Sequence, residues 1–268
     1  MNKKIGFIGA GKMAQAMIEG IVTSNMIPKE KIMASAATEE TINKIDRIHG
    51  IFTTLHNKDV VRFADILILA VKPELYLSVI EEIKEDMKQS AILVTIAAGI
   101  TLLDIEQAFG FQVKAVRTMP NTPSLVGEGM SAICANDYLS EAEIAEVETL
   151  FSCFGKTERL QEKLMDAIPS ISGSSPAYVY MLIEAMADGG VRQGIPRAKA
   201  YRLAAQAVLG AAKMVLETGV HPGELKDHVC TPGGATIEAV ATLEEKQFRG
   251  AIMAAMESCT RKVKHIEK

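Results

Sequence analysis

Two stretches of this sequence could hold an anion with main-chain groups alone. The first, near the N-terminus, is Lys4-Ile5-Gly6-Phe7-Ile8-Gly9-Ala10-Gly11-Lys12-Met13-Ala14. A short apolar run enters Gly9-x-Gly11-x-x-Ala14, after which Ala14, Met17, Ile18 and Ile21 recur at helical spacing. In a strand, tight turn and helix of this kind, Gly9 permits the turn and Gly11 lets a pyrophosphate approach the backbone. Ala14 keeps helix and strand close, and the bare N–H groups of the first helical turn face the phosphates. The second stretch runs from His221 to Thr236 and ends Thr231-Pro232-Gly233-Gly234-Ala235-Thr236 ahead of Ile237, Val240, Ala241 and Leu243. Thr231 with Pro232 reads as a cap and first-turn pair, and Gly233-Gly234 leaves N–H groups open to a carboxylate. Thr236, read as one turn inside, could hydrogen-bond a substrate atom beside that carboxylate. The competing reading is an ordinary glycine-containing helix start. Two glycines cost about 1 kcal/mol each in a helix-favouring stretch, which ligand approach explains better than capping.

The elements that must carry the first stretch alternate. Lys31-Ile32-Met33-Ala34 predicts a second strand ending at Ser35, and Ile51 to Thr54 a third, followed by the polar segment His56-Asn57-Lys58-Asp59. Ile66 to Val71 is a run suited to a strand buried on both faces, and Lys72-Pro73 stops it. A helix with Leu75, Val79 and Ile83 on its apolar side, a strand from Ala91 to Ile96, a helix from Thr101 and a strand from Val113 to Arg117 complete the alternation. The pattern implies an α/β fold with a parallel, doubly wound sheet, whose ligands sit beyond the carboxyl ends of the strands. That rule selects Ser35, Ala70-Val71-Lys72-Pro73, Ala97-Ala98-Gly99 and Met119 to Pro123 as one rim. With Gly9, Gly11, Lys12 and Met13 they form the candidate dinucleotide site. An NAD-specific site carries an acid near the end of the second strand; here Ser35, Ala36 and Ala37 leave room and the first acids are Glu39 and Glu40. NADPH is therefore expected, with NADH as the alternative. Lys72 reads as a solvated or phosphate-facing charge rather than a proton donor, and Asn121, between prolines, as a rigid turn device.

The partner is expected to be a small molecule. A net charge of −4 from 29 basic and 33 acidic residues among 268 gives no basic stripe for nucleic acid. Cys134, Cys153, Cys230 and Cys259 form no Cys-x-x-Cys pair, so neither a disulfide framework nor a metal site is expected. No secretory h-region and no membrane-length apolar run is found, which reads as a cytoplasmic protein.

Strands are expected also at Met130–Ala135 and Lys156–Leu160, with a helix between. From about residue 162 long helices take over, and residues 1–161 and 162–268 are expected to be separate domains. Pro176 opens a helix to about Gln193, with Ser174 and Ser175 as candidate caps, and Pro196 opens one to about Thr218. The second is apolar nearly all round, and one chain of this size has too few neighbours to cover it. An intertwined helical homodimer is expected, alone or within a higher assembly.

The chain resembles the pyrroline-5-carboxylate reductase family over essentially its whole length. The resemblance is carried by Ile5 to Ala14, Leu69-Ala70-Val71-Lys72-Pro73, Met119-Pro120-Asn121-Thr122-Pro123, Ser172-Gly173-Ser174-Ser175-Pro176-Ala177-Tyr178, Asp188-Gly189-Gly190 and, most specifically, His221 to Thr236. Ser175 stands where the family usually has Gly. The resemblance implies a Rossmann-type sheet with a C-terminal all-α dimerisation domain, and reduction of 1-pyrroline-5-carboxylate to L-proline by hydride from NADPH. It implies further that Thr231, Gly233, Gly234, Ala235 and Thr236 bind the imine at a dimer interface. Gly234 and Ala235 would hold the carboxylate, and Thr236 would donate to the ring nitrogen as the catalytic group. Ser35 and Asn57 would meet the adenosine 2′-phosphate.

An imine, once protonated, needs mainly positioning. A related β-hydroxyacid dehydrogenase needs a fixed lysine at the start of its second domain, and Gly173 to Gln193 contains none. His228 remains as a candidate acid, though a surface histidine is more often solvated. A nucleotide sensor without turnover is the alternative outside enzymology; it would keep the first glycine turn but have no use for Thr236.

Overall fold

The computed structural model describes residues 1–264. Eight strands form one sheet: β1 (Ile5–Ile8), β2 (Ile32–Ser35), β3 (Phe52–Thr54), β4 (Ile66–Leu69), β5 (Ile92–Thr95), β6 (Lys114–Met119), β7 (Gly129–Ala135) and β8 (Gly155–Arg159). Their spatial order is β3-β2-β1-β4-β5-β6-β7-β8, so the connections reverse direction between β1 and β4. The intervening helices are α1 (Lys12–Thr23), α2 (Glu39–His49), α3 (Asn57–Phe63), α4 (Tyr76–Ile83), α5 (Leu102–Phe109) and α6 (Glu141–Phe151).

The apolar runs become central strands because both faces of the sheet are covered. Along β4, Ile66 and Ile68 pack into one layer with Phe7, Met17, Ile18 and Ile21, while Leu67 and Leu69 pack into the other with Tyr76, Ile80, Ile83 and Ile105. This alternation, with no polar face, is the signature of a strand between two helical layers. On α4 the buried face is carried by Tyr76, Val79, Ile80 and Ile83, and Leu75 is exposed.

The sheet departs from the expected parallel arrangement at one place. β7 pairs antiparallel to β6, and β8 runs parallel to β7. The link from β6 to β7 is a single 3-10 turn, Thr122–Val126, closed by Gly127, too short for a crossover helix. The polar segment from His56 to Asp59 is also more than a loop: Asn57 begins α3, with His56 at its N-cap.

By packing, the chain divides into two compact units, Met1–Ser174 joined by the end of the last helix from Cys259, and Ser175–Ser258. Residues 162–174 are a 3-10 turn (Glu162–Ala167) followed by a π-helical turn (Pro169–Gly173). Buried Arg117 of β6 holds this segment through Glu162 and Asp166, and Glu162 also accepts from the N–H of Leu102 at 2.7 Å. The second unit comprises α7 (Ser175–Arg192), α8 (Arg197–Thr218), α9 (Pro222–Val229), α10 (Ala235–Glu245) and most of α11 (Phe248–Lys264). Ser175 is the first residue of α7 and is not among the non-glycine residues with positive φ, so the family's usual glycine is not needed for backbone freedom there. Within residues 175–258 of the single chain, only Ala187, Ala200 and Ala204 are buried.

Candidate functional site

Each compact unit carries one candidate half-site. In the first, β1 delivers the chain into Gly9, whose φ of +91° is open to glycine. A Cβ there would lie 2.7 Å from the Ala70 carbonyl oxygen, and the Gly9 N–H donates to the Ser35 carbonyl at 3.1 Å. The turn is thus wedged between the ends of β2 and β4. Gly11 is the N-cap of α1 and has no side-chain cap; the first turn carries no acid, and a Cβ on Gly11 would meet nothing within 4 Å. Bare N–H groups, the positive end of a twelve-residue helix and open space over Gly11 together fit a pyrophosphate.

A cavity of about 320 Å³ opens beside this helix start, lined by Gly11, Lys12, Met13 and Ala14, by Ala70, Val71, Lys72 and Pro73, and by Ile96, Ala97, Ala98 and Pro120. Ten of the residues expected at the nucleotide site, Gly11, Lys12, Met13, Ala70, Val71, Lys72, Pro73, Ala97, Ala98 and Pro120, converge here. Gly99 follows Ala98 with φ +79°, and Gly9 lies beneath the Ala70 peptide. Ile96, not expected there, completes the wall at the end of β5. The Lys72 side chain is 80% exposed and its Nζ stands 3.9 Å from Glu74, a solvated charge at the rim.

The two residues expected at the 2′-phosphate, Ser35 and Asn57, are hydrogen-bonded to each other. Ser35 is completely buried, and its hydroxyl donates to Asn57 Oδ1 at 2.7 Å. The Ser35 hydroxyl is therefore placed to orient the Asn57 amide. Asn57 is partly exposed, and its Nδ2 donates to Glu82 Oε2 of α4 at 2.9 Å. Sequence reasoning missed Glu82 because nothing in the spacing of α4 links it to residue 57.

The second half-site is the turn into α10. The Gly234 N–H donates to the Thr231 carbonyl at 3.0 Å, Pro232 is the second residue and Gly233 has φ +68°, which makes a type II turn. Gly234, with φ −82° and ψ 168°, is the N-cap without side-chain assistance, and Ala235 and Thr236 are the first two helical residues. Two expectations are corrected here. Thr231 and Pro232 shape the turn before the helix rather than capping it, and Thr236 stands within the first turn rather than one turn inside. Both glycines also have local reasons: the turn requires positive φ at Gly233, and a Cβ on Gly234 would lie 2.3 Å from Thr231 Oγ1. Because the Gly234 N–H closes the turn, the N–H groups of Ala235, Thr236 and Ile237 are the ones presented at the helix start.

Asn121 is 7% exposed, with its amide bonded to the Ser172 carbonyl and the Met130 N–H, which makes it a structural clamp. His228 is 67% exposed on α9, 3.9 Å from Glu224. Cys134, Cys153, Cys230 and Cys259 are free thiols, and among the described residues no cluster of His, Cys, Asp and Glu could hold a metal. No described helix is long and apolar enough to cross a membrane.

Comparison with known proteins places both halves in context. Residues 162–266 match the family described as pyrroline-5-carboxylate reductase dimerisation, and residues 4–99 match the one described as NADP oxidoreductase coenzyme F420-dependent. The chain is 45% identical over 268 residues to the pyrroline-5-carboxylate reductase of Escherichia coli K12, covering all of both chains. Among solved structures it is similar to the Plasmodium falciparum pyrroline carboxylate reductase with NADP bound, at 33% identity and TM-score 0.89, covering 98% of this chain and 97% of that one. The Coxiella burnetii pyrroline-5-carboxylate reductase gives 30% identity and TM-score 0.92 over all of both chains.

Proposed function

This chain belongs to the pyrroline-5-carboxylate reductase family, and from that premise we infer its reaction: NADPH-dependent reduction of the cyclic imine 1-pyrroline-5-carboxylate to L-proline, the last step of proline biosynthesis. The observation that supports this reading best is the glycine-capped, unassisted start of α10, with Thr236 as its second residue. A small carboxylate suits those N–H groups and the dipole behind them. Residues 1–161 serve the nucleotide and residues 162–268 serve assembly and substrate.

NADPH, when bound, supplies the hydride that adds to the imine carbon. The bare start of α1 at Gly11 and Lys12 holds the pyrophosphate, and the Val71–Pro73 and Ala97–Gly99 loops face the nicotinamide end. Asn57, oriented by Ser35, meets the 2′-phosphate. The Ala235 and Thr236 N–H groups hold the substrate carboxylate. The Thr236 hydroxyl donates to the ring nitrogen, drawing electron density from the carbon that receives hydride; the nitrogen then takes up one proton as proline forms. No lysine stands between Gly173 and Gln193 to accept an alcohol proton, so the residues present suit an imine better than a 3-hydroxy acid.

The protein acts as a homo-oligomer. Tyr180, Met181, Leu203 and Leu216 are 61%, 70%, 61% and 84% exposed in the single chain, and a second copy is the cover we assign them, as a dimer through α7 and α8. Four free thiols suit the reducing cytoplasm.

The test is a steady-state comparison by NADPH absorbance. Oxidation of NADPH with the imine, slower oxidation of NADH, and no reduction of NADP⁺ by a 3-hydroxy acid are expected. Tight nucleotide binding without turnover would identify a sensor, and turnover of the hydroxy acid an alcohol dehydrogenase.

A further inference from the structure

Beneath the nucleotide crevice lies a chain of buried hydroxyls whose order is fixed by chemistry. The Ala97 N–H donates to Thr95 Oγ1 at 3.2 Å, the Thr95 hydroxyl donates to the Tyr76 phenol oxygen at 2.8 Å, and the phenol donates to the Leu69 carbonyl at 2.6 Å. The Thr118 hydroxyl donates to the Thr95 carbonyl at 2.9 Å. An amide N–H only donates and a carbonyl only accepts, so each proton between those ends has one direction. Tyr76 is 1% exposed and Thr95 and Thr118 are wholly buried. Burial makes the phenol a much weaker acid than usual, so Tyr76 stays a neutral donor and has no part in proton transfer.

The location of this relay says what it does. It ties together the carboxyl ends of β4, β5 and β6, the edge at which ligands of such sheets are held. Leu69 immediately precedes the Ala70 peptide on which the Gly9 turn rests, and Ala97 itself lines the crevice. Tyr76 also clasps the loop from Ala70 to Leu75, since it reaches back seven residues to Leu69. Buried hydrogen bonds add little net stability over apolar groups of the same shape, but a fully satisfied network admits one arrangement.

We propose that Tyr76 and Thr95, backed by Thr118, are positioning residues for the nicotinamide dinucleotide: they set the separation of the Ala70–Pro73 and Ala97–Gly99 loops and thereby the width of the crevice. The proposal rests on the reading of that crevice as the nucleotide site.

The test compares Tyr76→Phe, Thr95→Val and Thr95→Ser in the full-length enzyme, with Gly9→Ala as a control on the crevice. The first two are expected to raise KM for NADPH roughly two- to tenfold, the worth of about one hydrogen bond, with KM for the imine unchanged. Thr95→Ser, which keeps the hydroxyl, should behave as wild type, and the Tyr76→Phe/Thr95→Val double variant should lose no more than the worse single one. Thermal unfolding shows which variants fold; with Tyr76→Phe unfolded, the contrast between Thr95→Val and Thr95→Ser decides. Wild-type KM for NADPH in folded Tyr76→Phe and Thr95→Val, or equal impairment of Thr95→Ser and Thr95→Val, overturns the relay. Undiminished NADPH binding by Gly9→Ala removes the crevice reading itself, and the proposal with it; lost binding there with wild-type KM in the relay variants overturns the relay alone.

Discussion

The side-chain amide of Asn121 donates to the carbonyl of Ser172 at 2.9 Å, across 51 residues of chain, while its Oδ1 accepts from the Met130 N–H at 2.9 Å. One nearly buried side chain therefore fixes the turn after β6, the start of β7 and the π-helical turn ahead of α7.

Asn121→Ala should leave two part-buried main-chain groups without this partner and lower stability by about 1–3 kcal/mol. Asn121→Asp should be at least as damaging, because it keeps the acceptor for Met130 but turns an oxygen toward the Ser172 carbonyl. Urea unfolding followed by circular dichroism measures both, and a midpoint equal to wild type in Asn121→Ala would deny the clamp.

Thr236→Ala should reduce kcat for the imine roughly tenfold, the equivalent of about 1.4 kcal/mol in the barrier, with KM for NADPH unchanged. Thr236→Ser, retaining the hydroxyl, should recover most of the rate. Parallel loss of rate and nucleotide affinity in Thr236→Ala would count against its contact with the ring nitrogen.

Met181→Glu and Leu209→Glu each put a charge on helical surface that is 70% and 54% exposed in the single chain. If a second copy covers those surfaces, both variants should shift the sedimentation coefficient toward that of a monomer, because an unpaired buried carboxylate is costly. Unchanged sedimentation for both would send the dimer contact elsewhere.

Glu143 tests the electrostatics of the nucleotide domain. It is the third residue of α6, where Lys114 pairs with it and the Ser140 N–H donates to it at 3.0 Å. Lys114 first, and then the Ser140 bond, hold its carboxyl down at about 2. A folded-state value below the ordinary 4.5 gives stability that is present above pH 4.5 and lost as the pH falls toward 2. Glu143→Gln keeps a capping oxygen and loses the charge. It should be less stable than wild type at pH 7, and the gap should narrow between pH 4.5 and 2; a gap independent of pH would show that the charge contributes nothing.

What could be read in the sequence follows from what is local. β4 and β5 are legible because strands covered on both faces have to be apolar throughout, and α1 because Ala14, Met17, Ile18 and Ile21 all face the core. The direction of β7 is not legible, since its residues would alternate in the same way whichever way it ran. The short helix α3 hides behind a polar first turn. Ser35 and Asn57 pair across 22 residues, and Glu82 reaches Asn57 across a further 25, so tertiary packing alone decides that one serves the other. At the second half-site the residue types were legible and their roles were not: with the bond from Gly234 to Thr231 closing a turn, the helix starts at Ala235, three residues beyond Pro232.

The only buried side chains in the helical unit of a lone chain are three alanines, Ala187, Ala200 and Ala204. If a second copy covers that unit, as proposed above, its completion is a second-order event whose rate and yield follow how many copies are present. The sheet, with two full apolar layers of its own, is under no such constraint. Newly made chains would then capture nucleotide before they can turn over imine, and at great dilution catalysis would fade while cofactor affinity persists.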